Sequence, residues 1–369
     1  MSAATVVAPA PTRQAATSAR NINLDVLRGI AILLVLGRHL QYFPLWTKVG
    51  WAGVDLFFVL SGFLISGLLF QEWKARGAID FKRFYIRRAF KIYPAFYVLL
   101  LVTVLVNLAV PGIPSHPVTG KAMLAEIFFL QDYFPSVWGQ TWSLAVEEHF
   151  YILLPIALWL MYRRRRTHAD PFKALPSIFM IVATVEIVLR LATTWHLTTA
   201  ATEFRYMAPS HLRVDALLFG VLLSYYRHFQ PDKFEQLRRG FSSLAVIGLA
   251  CILLALVPLN NPIMHTVGFT LVYFGFGLLL VRTIDARPHK YAALLTAPLA
   301  KIGYYSYSIY LWHGWVCRLL PHATIVGLLG CIAAAVLLGA AMGKVIEYPA
   351  LALRDRVFPA ARRGVASLA

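Results

Sequence analysis

The sequence predicts an all-α protein: a polytopic membrane helix bundle of about ten transmembrane helices, with both termini cytoplasmic. Three observations carry that expectation. Of 369 residues, 59% are hydrophobic and only 14% are charged, with a mean hydropathy of +0.64, whereas a soluble domain is roughly 25% charged. Apolar runs close to the ~20 residues needed to cross hydrocarbon recur along the whole chain. Basic residues crowd alternate connections between those runs. The same composition excludes disordered, collagen-like, coiled-coil and disulfide-scaffold chains.

The expected spans fall at 24–43, 51–71, 92–110, 141–162, 176–195, 212–226, 241–257, 263–281, 300–320 and 325–347. The sixth is the shortest. The apolar stretch 122–130 is too short to cross and is expected to lie at the interface. Residues 1–22 are rich in Ala, Thr, Pro and Ser and are expected to form a disordered cytoplasmic tail, with no cleaved signal peptide. Lys74, Arg76, Lys82, Arg83, Arg87, Arg88 and Lys91 follow the second run, and Arg163 to Arg166 follow the fourth. Arg227, Lys233, Arg238 and Arg239 follow the sixth, and Arg282, Arg287 and Lys290 the eighth. Residues 351–369 are expected to form a basic cytoplasmic tail. The net charge of +18 is then a topology signal facing the lipid bilayer, and no nucleic-acid partner is expected. Cys251, Cys317 and Cys331 lie in apolar segments, with no Cys–His cluster, so no metal site is expected.

An ionisable residue inside a span costs several kcal/mol and needs a reason. Arg28 and His39 are eleven residues apart, three helical turns plus about 20°, so they share a face about 16 Å apart. One face thus offers a cation low in the membrane and an imidazole higher up, which suits a tunnel as well as it suits a snorkelling Arg and a structural His. Glu147 and Glu148 open the fourth span at a depth compatible with His39, and a carboxylate beside an imidazole orients it. Glu186 and Arg190, four apart, are expected to satisfy each other. Arg213 and Asp215 are expected to form a local ion pair. His149, His211 and His313 are secondary candidates. The basic run 85–91 suits phosphate and equally suits anionic lipid.

Together these segments resemble the acyltransferase 3 family of integral membrane acyltransferases. The stretch from Asn23 through Arg28 to His39 resembles its Arg-x10-His signature. Gly53 to Ser66, holding Asp55 and Ser61, resembles its second helix. Arg87, Arg88 and Lys91 with Pro94 and Tyr97 resemble its basic motif, and Thr141 to Tyr151, holding Trp142, Ser143 and Glu147, its fourth helix. Arg213 to Gly220 with Asp215, Ser306 to His313, and Glu347 to Pro349 are shorter matches. They run in order from residue 23 to about 350, the expected membrane domain. Lys91 stands where the family usually has Arg, and His149 where Gln is common.

The resemblance implies acyl transfer, acetyl above all, from cytoplasmic acyl-CoA to a hydroxyl of a sugar or glycosylated acceptor, in a bacterial inner membrane. Acyl-CoA enters as co-substrate, with no resident cofactor. Arg28, Arg87, Arg88 and Lys91 would hold the donor, His39 would act as general base and Glu147 would orient it. A tyrosine, Trp142 or Ser143 would be able to donate to the oxyanion, and the sequence does not choose among them; Asp55, Ser61, Arg213, Asp215 and His313 would serve substrate binding or structure. A transporter is the competing reading, against which stands the lack of an inverted repeat in the sequence.

Overall fold

The computed structural model describes residues 21–164, 170–196, 203–286 and 292–358. The expected tail at 1–20, Arg165, Arg166 and the far C-terminal residues lie outside them. No strand occurs among the described residues, and the chain is an all-helical bundle. Six segments are long and apolar enough to cross a membrane: Ala52–Arg76, Phe81–Ala109, Gly139–Arg164, Leu175–Trp195, Met264–Thr283 and Ile325–Val357.

The helices follow the apolar pattern with instructive exceptions. Helix α1 (Ile22–Leu40) starts where Asn21 accepts from the Asn23 and Leu24 amides, an Asx cap. It carries Asp25, Arg28 and Arg38 along its length. A short α2 (Pro44–Val49) folds back on it, the Trp46 indole donating to the Leu33 carbonyl at 3.0 Å. Next come α3 (Ala52–Arg76) and α4 (Phe81–Ala109). The basic run expected in a loop is therefore helical. Asp80 caps α4 by accepting from the Arg83 amide, and the Arg- and Lys-rich turns that follow are good helix formers. The interfacial stretch forms α5 (Gly120–Ile127), and α6 (Trp142–Arg164) and α7 (Leu175–His196) follow.

After α8 (Glu203–Met207) and the 16-residue α9 (Val214–Phe229) come α10 (Pro231–Arg239), α11 (Phe241–Leu253) and α12 (Phe269–Thr283). The span expected at 300–320 is broken: α13 (Ala292–Tyr304) and α14 (Ser306–Leu319) meet at Tyr305, whose φ of −97° and ψ of 8° leave the helical region. Helix α15 (Ile325–Met342) runs on through a π-turn at Gly343–Glu347 into α16 (Tyr348–Val357), so the start of the expected C-terminal tail is helical. Three prolines interrupt helix interiors, Pro94, Pro155 and Pro298. Beside the first two, a tyrosine hydroxyl donates to a nearby carbonyl, Tyr307 to Ile92 and Tyr85 to Ile152, both at 2.7 Å. Such bonds re-satisfy backbone that a proline disturbs.

Helices α3 and α9 touch backbone to backbone. A Cβ on Gly62 would lie 1.8 Å from the Leu217 carbonyl oxygen, and one on Gly220 would lie 2.2 Å from that of Val59. Small residues permit this approach where lipid gives helices no hydrophobic reason to associate. The approach is locked by charge. Arg213 donates to Asp55 at 2.7 Å, and Arg190 donates to Asp215 at 2.7 Å and to Glu186 at 3.3 Å. All five side chains are buried. Arg190 also reaches the Leu212 carbonyl and Thr270, while the Arg213 guanidinium lies 4.2 Å above the Phe269 ring. The expected local pair of Arg213 with Asp215 is therefore replaced by two crossing pairs. Residues two apart do not face each other, so each finds its partner on another helix.

Removing one member strands a buried charge, which costs about 3–5 kcal/mol. Asp55→Leu should lower the midpoint of thermal unfolding in detergent, and Asp55→Leu combined with Arg213→Met should recover much of the loss. A single variant as stable as the parent would show that the pair does not hold α9 to α3.

Candidate active site

A cavity of about 850 Å³, counting its open mouth, is enclosed by α1, α3, α4, α6 and α14. Arg28, Arg88 and Lys91 line it together with the carboxylates Glu147 and Glu148 and the hydroxyls of Ser61, Ser143, Tyr151, Tyr307 and Tyr310. Three of the four expected donor residues are thus brought together. Arg87 is not. It pairs with Asp355 at 3.2 Å and donates to the Phe358 carbonyl at 3.0 Å, on α16. Once the run is helical the reason is simple: consecutive residues point about 100° apart, while Arg88 and Lys91, three apart, share a face.

None of the cavity cations is bare. Arg88 stacks 3.8 Å from the Tyr151 ring centroid, with a nitrogen 3.8 Å from Glu147. Lys91 bonds Glu347, which also accepts from Ser308. Arg28 has a nitrogen 3.9 Å from Asp25. Glu347 closes the π-turn, a kind of helix defect frequent at functional sites. The sequence marks it as a carboxylate at the end of an apolar span and gives no sign that Lys91 is its partner.

Glu147 accepts from Ser61 and from Tyr151, each at 2.8 Å. Its neighbour Glu148 accepts from Tyr93 at 3.3 Å. The structure therefore sets Glu147 among Ser61, Tyr151 and Arg88, and not in the expected pairing with His39. The ring beside His39 is His313, at 4.9 Å between centroids and tilted by 59°. His39 keeps an exposed edge, whereas His313 is fully buried. His149 is turned elsewhere: its Nδ1 lies 2.8 Å from the Ser210 hydroxyl and 3.6 Å from Asp132. His313, not His149, is the second imidazole of this region.

Ser143 and Tyr310 extend the cavity toward His313. Their hydroxyls are 2.5 Å apart, and Tyr310 donates to the Gln140 carbonyl. Tyr310 has one proton and spends it on that carbonyl, so Ser143 must donate to Tyr310. Ser143 then has no proton left for an oxyanion. The Gln140 Nε2 is buried without a partner. It lies where a Cβ on Gly314 would sit at 2.4 Å, so Gly314 lets this loop reach α14. Trp142 packs edge-on to Phe58, with the Arg213 guanidinium 5.8 Å from its ring centroid, and belongs to the buried charge lock with Asp55, Arg213 and Asp215.

The loop that delivers Trp142 and Ser143 is pinned by Glu126, which accepts from the Val137 and Trp138 amides and from the Thr141 hydroxyl at 2.9–3.2 Å. Burial pushes its carboxyl up to about 7 against those three bonds. Tyr151, Tyr310 and Gln140 were not singled out by the sequence. Tyr151 had a signal, since it stands one helical turn after Glu147. Tyr310 had one too, lying in the Ser306–His313 stretch that resembles the family, whereas Gln140 had none, because its role depends on contacts between distant segments.

The model of the family described as an acyltransferase domain matches residues 21–343. The peptidoglycan O-acetyltransferase OatA of Listeria monocytogenes serovar 1/2a is 27% identical over 312 residues, covering 79% of this chain and 48% of that protein. The O-acetyltransferase OatA of Staphylococcus aureus strain NCTC 8325 is 30% identical over 311 residues, covering 79% of this chain and 49% of that protein. The chain thus spans about half the length of the relatives it matches. No solved structure matches it. With the family match running through α1, α3, α4, α6 and α14 alike, the cavity that these helices enclose lies wholly within the matched region, and the chain belongs to the acyltransferase 3 family of membrane acyltransferases.

Proposed function

We propose that this protein is a membrane O-acyltransferase that moves an acetyl group from acetyl-CoA to a hydroxyl of a sugar in a cell-surface glycan. The observation that carries the reading is the cavity itself: three cations, Arg28, Arg88 and Lys91, line one cavity with the hydroxyls of Ser143 and Tyr310, in a chain of the acyltransferase 3 family. The relatives named as O-acetyltransferases support acetyl as the group moved, and the one named for peptidoglycan supports a glycan acceptor.

CoA is a polyanion, and Arg28, Arg88 and Lys91 offer it charge-assisted contacts. Its phosphates would exchange with the carboxylates that now face those cations. The thioester would reach toward Ser143 and Tyr310. The acceptor hydroxyl attacks the thioester carbonyl, its proton passing to the exposed edge of His39. The C–O bond forms, the C–S bond breaks with its electron pair going to sulfur, and the thiolate takes up the proton from His39. A positioned base of this kind contributes about 10²–10⁴-fold. The alternation of basic connections supports a donor side in the cytoplasm and an acceptor side outside, with both termini cytoplasmic.

Purified protein in lipid, given labelled acetyl-CoA and a glycan acceptor, should transfer label to the glycan. His39→Ala should lower turnover by about 10²–10⁴-fold while donor still binds. Full activity in that variant would remove His39 from the chemistry.

The split between neighbouring arginines gives a sharper check on the donor site. Arg88→Ala should raise the donor KM roughly tenfold to a hundredfold, the loss of one charge-assisted contact. Arg87→Ala, which disturbs only the α16 contact, should leave it nearly unchanged. Equal effects would mean that the cavity is not where CoA sits.

Sidedness is read by cysteine labelling. A cysteine at Ser115 should react with an impermeant thiol reagent on intact cells, and one at Lys173 should not. The reverse pattern would invert the donor path.

A further inference from the structure

The His39–His313 pair contains an unused proton acceptor. His313 Nδ1 lies 2.7 Å from the Tyr310 carbonyl oxygen. A carbonyl only accepts, so Nδ1 carries the hydrogen. In a neutral imidazole the other nitrogen is then a bare lone pair. That atom, Nε2, is buried and has no partner. Buried polar atoms are nearly always bonded, and an orphan costs about 1–3 kcal/mol. The orphan sits on the ring that neighbours His39. Among the described residues no carboxylate holds the His313 ring, whose hydrogen-bond partner is the Tyr310 carbonyl.

We infer that His313 is the positioning partner of His39: its Nε2 accepts a hydrogen bond from the imidazolium that forms when His39 takes the hydroxyl proton. The proposal rests on the O-acyltransferase reading and replaces Glu147 in the role that the sequence suggested for it. At 4.9 Å between centroids, a turn of the exposed His39 ring brings a nitrogen within the roughly 2.7–3.2 Å of a hydrogen bond. The proton balance is unchanged. His39 gains one proton from the hydroxyl and returns it to the thiolate, while its second N–H leans on His313 for the lifetime of the cation. In the resting state Nε2 waits without a partner, so the interaction strengthens only as charge develops. An interaction made only at that stage raises turnover without tightening ground-state binding.

The pH dependence follows from the groups that face the pair. The charged and titratable groups that face His39 are Arg38 on its own helix and His313 on α14. Tyr310 offers His313 its backbone carbonyl, and its hydroxyl is committed to Gln140. Removing the only acceptor makes the imidazolium of His39 harder to form, so the acidic limb of the kcat/KM profile moves to lower pH. Loss of packing alone would leave that limb where it is.

The test uses the full chain in lipid, with labelled acetyl-CoA and a glycan acceptor. His313→Met fills similar volume without an acceptor nitrogen or oxygen. It should lower kcat roughly tenfold to a hundredfold, leave the donor KM unchanged and shift the acidic limb downward. His313→Gln supplies a side-chain carbonyl and should recover turnover to within tenfold of the parent. Normal kcat with an unmoved limb in His313→Met overturns the inference. If His313→Met does not fold, His313→Leu takes its place beside His313→Gln: a limb lowered in His313→Leu and restored in His313→Gln supports the pair, and the same limb in both overturns it. Parent protein and His39→Ala are run alongside. Full activity of His39→Ala would fail the underlying reaction, whereas an inactive His39→Ala beside a normal His313→Met fails this inference alone.

Discussion

Arg213 cannot discharge itself by losing a proton, and inside a membrane that single fact constrains much of the fold. Its guanidinium must meet a carboxylate, and Asp55 is the one it meets. That pairing fixes α9 against α3 at a distance only glycines allow. Asp215, in the first turn of α9, then turns away to Arg190 and draws α7 into the same knot. Asp55 and Ser61 are six residues apart on α3, about 240° around the helix. The same helix is therefore clamped by charge on one side and offers Ser61 to the cavity on another. The buried ion pairs position the site without taking part in it.

Much of this was legible in the sequence, and the boundary of what was not is physical. Composition and run length gave an all-helical membrane bundle, and the cost of a charge in hydrocarbon flagged Arg28, His39, Asp55, Glu147, Arg213, Asp215, His313 and Glu347 before any partner was known. What periodicity does not encode is which distant helix supplies the partner. Asp55 and Arg213 are 158 positions apart, and Lys91 and Glu347 are 256 apart. Arg213 was therefore paired with its sequence neighbour Asp215, and Glu147 with His39 by expected depth, where the fold gives Arg213 to Asp55 and Glu147 to Ser61, Tyr151 and Arg88. Arg87 was grouped with Arg88 because a loop was expected. Extending α4 back to Phe81 separates them by a third of a turn. The break at Tyr305 was equally hidden, because α13 and α14 are both apolar and no proline or glycine stands at the joint.

The electrostatics of the cavity favour exchange over filling. Arg88 faces Glu147 and Lys91 faces Glu347, so a phosphate of the proposed donor would displace a carboxylate instead of neutralising a bare cation. The net gain per contact is smaller than for an unpaired cation, but the empty site carries no stranded charge of the kind that is so expensive at depth. Such a site holds its cations in place in the absence of ligand and releases product more readily.

The hydroxyl chain from Ser143 through Tyr310 to the Gln140 carbonyl runs in one direction only. Because each proton points away from the cavity, the Ser143 oxygen meets whatever arrives with its lone pairs. That end of the cavity is thus a reader of polarity: it welcomes an N–H or O–H and turns a carbonyl oxygen aside. The acyl-CoA proposed as donor would present both kinds of group along its length, amide N–H groups in the pantetheine arm and carbonyl oxygens beside them. The direction of a single hydrogen-bonded chain is therefore enough to choose which way round such a molecule can rest.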